Sequence, residues 1–243
     1  MKRLLLLFFP LVFVSFSLFA QNVGLGVQFG TTKTSIYNVV NGIDDNFEAN
    51  NGLNMGLNLQ VKFGNIGLCT ELNYEQHKFS KIGDTYFDGQ VWNYPQIMNY
   101  LHYHLSLPVL LKYYFGPFNI QTGIQISRFT SGFEQSEVSA PSHYYENAYM
   151  HDVGGTLYWR FQEYNYAAVM GFGLDINLKP GPIGSLDFFM SCRTIVNSDP
   201  ILNMDWINTI NTEYNSPYSD SMMDQFSRYV TLNIVAGFRI NIL

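Results

Sequence analysis

His102 and His104 stand two positions apart in an alternating segment, and Glu71, Glu75 and His77 share one phase of the segment before it. Imidazole and carboxylate side chains in that combination suit zinc. The competing chemistry is mutual neutralisation. Glu71, Glu75, Asp175 and Asp187 can accept from Lys62, Lys112, Arg193 and Arg239 in one interior polar network, where an unpaired charge would be expensive. The network is the expected reading, without metal or cofactor, because no third histidine shares a dependable register with His102 and His104.

A second place for chemistry is a polar stretch with Ser142, His143, His151 and Asp152. These types could serve a hydrolase, but their spacing matches no recognised set of nucleophile, base and orienting acid, so no catalytic residue is expected. Gly24-Leu25-Gly26 and Gly171-Phe172-Gly173 lie inside strand alternation and open no helix, which excludes a phosphate-binding loop.

The elements that must hold these groups are strands. From Leu101 to Phe115 every second residue is apolar, a Gly116-Pro117 turn follows, and Phe118, Ile120, Thr122, Ile124 and Ile126 resume the alternation. Successive strand side chains point to opposite faces, so this is a hairpin with one apolar and one polar face. The same pattern recurs from Val23 to Tyr37, Leu53 to Phe63, Ile66 to His77, Tyr166 to Leu178, Ser185 to Arg193 and Val230 to Ile242. Short turns at Gly64-Asn65, Gly116-Pro117 and Lys179 to Pro182 alternate with long polar loops at 38–51, 80–99, 129–163 and 197–224. Long loops at one end and short turns at the other predict an eight-stranded antiparallel up-and-down transmembrane β-barrel, with the short turns periplasmic. Residues 155–166 leave room for an extra hairpin and a ten-stranded form. Pro108 lacks an N–H in a strand that should pair on both sides, so a bulge or a position needing no donor is expected there.

Composition agrees. Charged residues make up 13% of the 243 and aromatics 16%, whereas a soluble domain carries about 25% charged residues. Lys2-Arg3, an apolar run to Phe19 and Ala20 before Gln21 read as a signal peptide over 1–20, leaving 21–243 as one barrel domain. Without Lys2 and Arg3 the 13 basic residues fall to 11 against 19 acidic, a net of −8, and nucleic acid is excluded as a partner. Cys69 and Cys192 fall on opposite faces and are expected to stay free thiols. The apolar phase carries no charge between strand ends, and the other phase is small and weakly polar, so the apolar face points to outer-membrane lipid. A soluble lipocalin-like barrel is the rival arrangement.

The segment Leu105 to Gly116, LSLPVLLKYYFG, with Gly123 in the next strand, resembles the PorT-like outer-membrane β-barrel family of Bacteroidota. Pro108, Lys112 and Tyr113 carry that family's hydrophobic-Pro-hydrophobic-Lys-Tyr strand. The resemblance implies an eight-stranded barrel in the outer membrane. The founding member is associated with type IX protein secretion, a role that most relatives share no evidence for and that is not carried over. His102 and His104 replace residues that are usually apolar or acidic in that family.

The expected role is a barrel without enzymatic activity, serving as scaffold, surface-binding or secretion accessory protein. A rim-site hydrolase or acyltransferase and a secreted soluble ligand-binding barrel are the alternatives. Tyr144, Tyr145, Tyr149, Tyr158, Trp159, Trp206, Tyr214 and Tyr218 in the long loops form the expected surface for an extracellular or envelope protein partner.

Overall fold

The computed structural model describes residues 22–38, 42–43, 47–87, 90–138, 149–152, 162–180, 184–201 and 227–242. Ten strands follow in order: β1 (Asn22–Asn38), β2 (Gly42–Ile43), β3 (Phe47–Phe63), β4 (Ile66–Phe87), β5 (Gln90–Phe115), β6 (Phe118–Val138), β7 (Tyr149–Asp152), β8 (Tyr164–Pro180), β9 (Gly184–Asn197) and β10 (Ser227–Ile242). Eight of them form an antiparallel wall, β1-β3-β4-β5-β6-β8-β9-β10, and β10 pairs back onto β1 to close it. The short β2 and β7 attach to β1 and β6 at the upper rim. The extra pair is therefore rim decoration, and the barrel itself has eight strands.

The pleat sorts the residues as their alternation demands. Phe29 is 64% exposed, Met170 68% and Ile240 62%, all on the outer face. Gln28, Arg239, Glu71 and Ser191 on the opposite phase are buried in the lumen. An outward belt this apolar is tolerable only against lipid, so the soluble-barrel arrangement fails. Phe115 stacks on Phe118 beside the Gly116 turn, and Phe188 meets Phe238 edge-on at the same end. These rings form the girdle at the periplasmic interface.

Gly64 (φ 56°) and Gly116 (φ 67°) begin the short turns. That left-handed backbone is costly for a residue with Cβ, so glycine is required at both. Residues 181–183, the centre of the third short turn, lie outside the described residues.

The upper wall departs from expectation. Residues 80–99, read as a polar loop, continue β4 to Phe87 and resume β5 at Gln90. β6 likewise runs to Val138, well into the 129–163 stretch, and β3 starts at Phe47 inside the first loop. Above the lipid a strand faces water on both sides, so the apolar alternation that betrays a membrane strand disappears while the hydrogen-bonded ladder goes on. β4 rises roughly 30 Å beyond Gln76, at the usual rise and tilt. The opposite wall stops sooner, with β8 starting at Tyr164 across from Arg128.

Pro108 creates no bulge. The pairs Thr70↔Val109 and Asn73↔Ser106 keep one register, and the ladder to β4 simply lapses between them, while Pro108 pairs Gln125 on the other side. The nearest irregularity lies between Tyr103 and His104, where Thr130 is the extra residue of β6.

Candidate functional site

The candidate site is the lumen, filled in layers from the periplasmic end upward. At the bottom Arg239 of β10 reaches Asp175 of β8 in a close ion pair, lies 3.4 Å from Asp187 and donates to Gln60 Oε1 at 2.7 Å. Asn241 Nδ2 donates to Asp187 at 2.6 Å and to Ser185 at 2.9 Å. Tyr114 donates to Gln60 at 2.9 Å, and its ring lies across Gly67, where a Cβ would stand 2.9 Å from it. Lys62 sits over the Tyr114 ring at 4.1 Å, a cation–π contact rather than a carboxylate pair.

One layer up, Arg193 of β9 makes a two-pronged bond to Glu71 of β4, with both distances 2.6 Å. Planar guanidinium and carboxylate match in this geometry, which makes it the strongest form of charged hydrogen bond. Gln28 donates to Glu71 at 2.8 Å and to Asn73 at 2.7 Å, and Asn73 donates to Glu71 at 3.1 Å. Cys69, Leu110, Ala167, Val169 and Ile195 form an apolar cluster at this height. Lys112 is buried here and interacts electrostatically with both Glu71 and Asp175, yet no carboxylate among the described residues pairs with it.

Glu75 is held differently from its expected partners. Ser106 Oγ donates to it at 2.7 Å, Asn54 at 3.1 Å and Gln125 at 3.2 Å, and His77 Nε2 lies 3.5 Å away. No lysine or arginine is paired with it among the described residues.

The uppermost layer is made of rings. His77 meets His104 edge-on at 4.7 Å, Phe79 stacks on Tyr100 at 4.9 Å, and Phe129 packs against both His102 and His104. Tyr229 stacks on His77 at 5.5 Å, and its hydroxyl is 2.6 Å from His102 Nδ1. His77 Nδ1 and the Thr34 hydroxyl share a hydrogen bond of 2.8 Å. The third histidine, whose register the sequence left open, is His77: it pairs His102 directly across β4 and β5. The alternating phase already placed it inward, and only the absolute pairing of the two strands was lacking.

Three of the four residues weighed for a metal are engaged by other partners, while His104 pairs Glu75 across β4 and β5 and packs on His77 and Phe129. Glu71 belongs to Arg193, Glu75 to Ser106 and Gln125, and His102 to Tyr229. Among the described residues no group of three His, Cys, Asp or Glu side chains is arranged to hold an ion. Of the residues weighed for catalysis, Ser142 and His143 lie outside the described residues. His151 and Asp152 belong to β7, paired with Glu134 and Phe133 at the rim. The long-loop aromatics also lie outside, except Tyr149, which begins β7. Cys69 and Cys192 are both free, the first in the lumen.

Residues 19–193 match the family described as outer membrane protein beta-barrel domain. The chain belongs to that family. No curated protein sequence matches it. Similar solved structures include Neisserial surface protein A (9% identity, 89% of this chain and 96% of that one, TM-score 0.36). Ail, the attachment invasion locus protein of Yersinia pestis, shows 10% identity over 89% and 97% with a TM-score of 0.37. The outer membrane protease OmpT from Escherichia coli shows 8% identity over 92% and 97%, also at 0.37. Likeness at this level spans proteins of different activity and does not separate an enzyme from a binding protein.

Proposed function

We propose that this chain is a closed, non-enzymatic outer-membrane barrel that presents its tall β4–β5–β6 wall to an extracellular or envelope protein. The observation that carries the reading is the filled lumen: ion pairs below and stacked rings above occupy the bore of an eight-stranded barrel, which is narrow to begin with. Such a bore passes no solute, and what remains for function is the outside. The β4–β5 hairpin lifts backbone far beyond the lipid belt, and sheet held there has no purpose in spanning a membrane.

The Leu105 to Gly116 motif supports placing the barrel among the PorT-like proteins of Bacteroidota, and the leader over 1–20 supports export with removal after Ala20. Planar bilayers carrying the purified protein are expected to show no porin-sized conductance, and steady openings of that size would refute a closed barrel. Protease and lipase assays on the refolded chain are expected to be negative. Hydrolysis that disappears in His151→Ala would replace this reading with a rim enzyme.

A further inference from the structure

The outer wall changes character at one height. Going up the lipid-facing side, the first charged residues are Lys33 on β1, Glu48 on β3, Lys78 on β4, Arg128 on β6 and Arg228 on β10, four cations and one anion. Two of these cations are satisfied within the chain. Arg128 pairs Glu163 at 3.0 Å, and Arg228 donates to the Ser198 carbonyl at 2.7 Å. Lys33 and Lys78 have no hydrogen-bond or ion-pair partner among the described residues. Glu48, exposed two positions beyond Asn50 on β3, comes no nearer than 4.0 Å to either ammonium.

These two lysines belong to one cross-strand row. Lys33 pairs Asn51, the adjacent Asn50 pairs Lys78, Lys78 pairs Leu101, and Leu101 pairs Phe133. A groove of about 700 Å³ runs along the row from Asn50 and Asn51 past Lys78 to Leu101 and Phe133. Two strand spacings separate the lysines, about 10 Å. Immediately below lie Leu53, 60% exposed, and Tyr74, part of the lipid-facing belt.

We propose that this row is a binding site for a phosphorylated glycolipid of the outer leaflet. Each ammonium takes one phosphate, the Asn51 amide and the Asn50 side-chain carbonyl oxygen, whose own NH2 donates to Ser80 at 2.9 Å, meet sugar hydroxyls between them, and acyl chains lie on Leu53, Leu101 and Phe133. The charge argument selects the occupant. The mature chain is acidic overall, yet among the described residues two cations stand unpaired at the level of the outer headgroups, with Asn50 and Asn51 between them in the row. A single-phosphate lipid would satisfy one of them only. The site rests on the barrel's orientation in the outer membrane and is independent of whether the lumen is closed or the tall wall binds a protein.

The test uses the full mature chain in nanodiscs of phosphatidylcholine doped with a bis-phosphorylated disaccharide lipid, with the same lipid stripped of phosphate, or with phosphatidylglycerol. Lipid retained on the protein is read by native mass spectrometry. The bis-phosphorylated lipid is expected to be retained in preference to both others. Lys33→Gln and Lys78→Gln are each expected to weaken retention about five-fold, the effect of one basic side chain at a charged membrane surface. Arg128→Gln, at the same height but paired with Glu163, is expected to stay within about two-fold of the native protein. Lys33→Arg with Lys78→Arg keeps both charges and is expected to retain the lipid, which separates loss of binding from loss of fold. Equal retention of the dephosphorylated lipid or of phosphatidylglycerol, or an Arg128→Gln effect as large as that of Lys33→Gln, would overturn the proposal.

Discussion

The lower and upper parts of the lumen do the same job with different chemistry. Below, long charged side chains cross the bore: Arg193 meets Glu71, and Arg239 meets Asp175 and Asp187, with Gln and Asn side chains filling the remaining bonds. Above, rings do the filling, with Phe79, Tyr100, Phe129 and Tyr229 packed around His77, His102 and His104. The charged layers tie together strands that are not neighbours, since Arg193 sits on β9 and Glu71 on β4. The ring layer instead rests on surface contact, with hydrogen bonds between His102 and Tyr229 and between His77 and Thr34 fixing its orientation. A charged plug is intolerant of losing one partner, because the other is left buried. A ring plug loses area in proportion to what is removed.

That contrast can be broken at its strongest point first. Arg193→Met should lower the stability of the barrel by about 3–5 kcal/mol, because Glu71 is left uncompensated. Urea unfolding in detergent micelles, followed by loss of heat-modifiable gel migration, measures this. The double variant Glu71→Gln with Arg193→Met should recover most of the loss, and failure to recover would mean that the pair matters for packing rather than charge. Arg239→Gln should cost less, about 2–3 kcal/mol by the same measurement, since Asp175 and Asp187 stand nearer the periplasmic mouth, where water can replace the lost donor. In the ring layer, Tyr229→Phe keeps the stack and deletes the hydroxyl on His102, for about 1 kcal/mol. On the outer face, Arg128→Gln should cost about 0.5 kcal/mol or less, because both side chains of its pair are about half exposed. If Tyr229→Phe proved as damaging as Arg193→Met, the two plugs would not differ in kind.

The barrel was legible wherever one face meets lipid. Alternation with period two put the polar residues from Gln28 to Asn241 on the lumen side, and the strand count follows from the spacing of turns, but Phe79, Tyr100, Phe129 and Tyr229 stand just beyond the alternating segments and were not read as interior. It failed at the top of β4, β5 and β6, where Ile82 to Phe87 and Val91 to Asn99 continue the strands beyond the lipid-facing alternation. The interior network was legible as a set of residues and not as a set of pairs. Parity says that Arg193 and Glu71 both point inward; it does not say that side chains from β9 and β4 meet across the bore. For the same reason Glu75 was expected to face a lysine or arginine, yet among the described residues it takes neutral donors, and Lys62 rests on the ring of Tyr114. Pro108 shows a further limit, since a missing N–H can be absorbed by a lapse in one ladder with no change of register.

The seam of the barrel lies between β1 and β10, the first and last strands, from Val23↔Ile242 to Asn38↔Ser227. Everything between them must therefore be delivered before the circle can shut. During export the chain passes through states in which β1 already has its hydrogen-bonding edge bare while its partner is still unmade or untranslocated. Such an edge pairs readily with any neighbouring chain. The time order of synthesis thus places the greatest hazard at the longest-waiting strand, and escorting that strand through the periplasm becomes as much a requirement of this architecture as any contact in the finished protein.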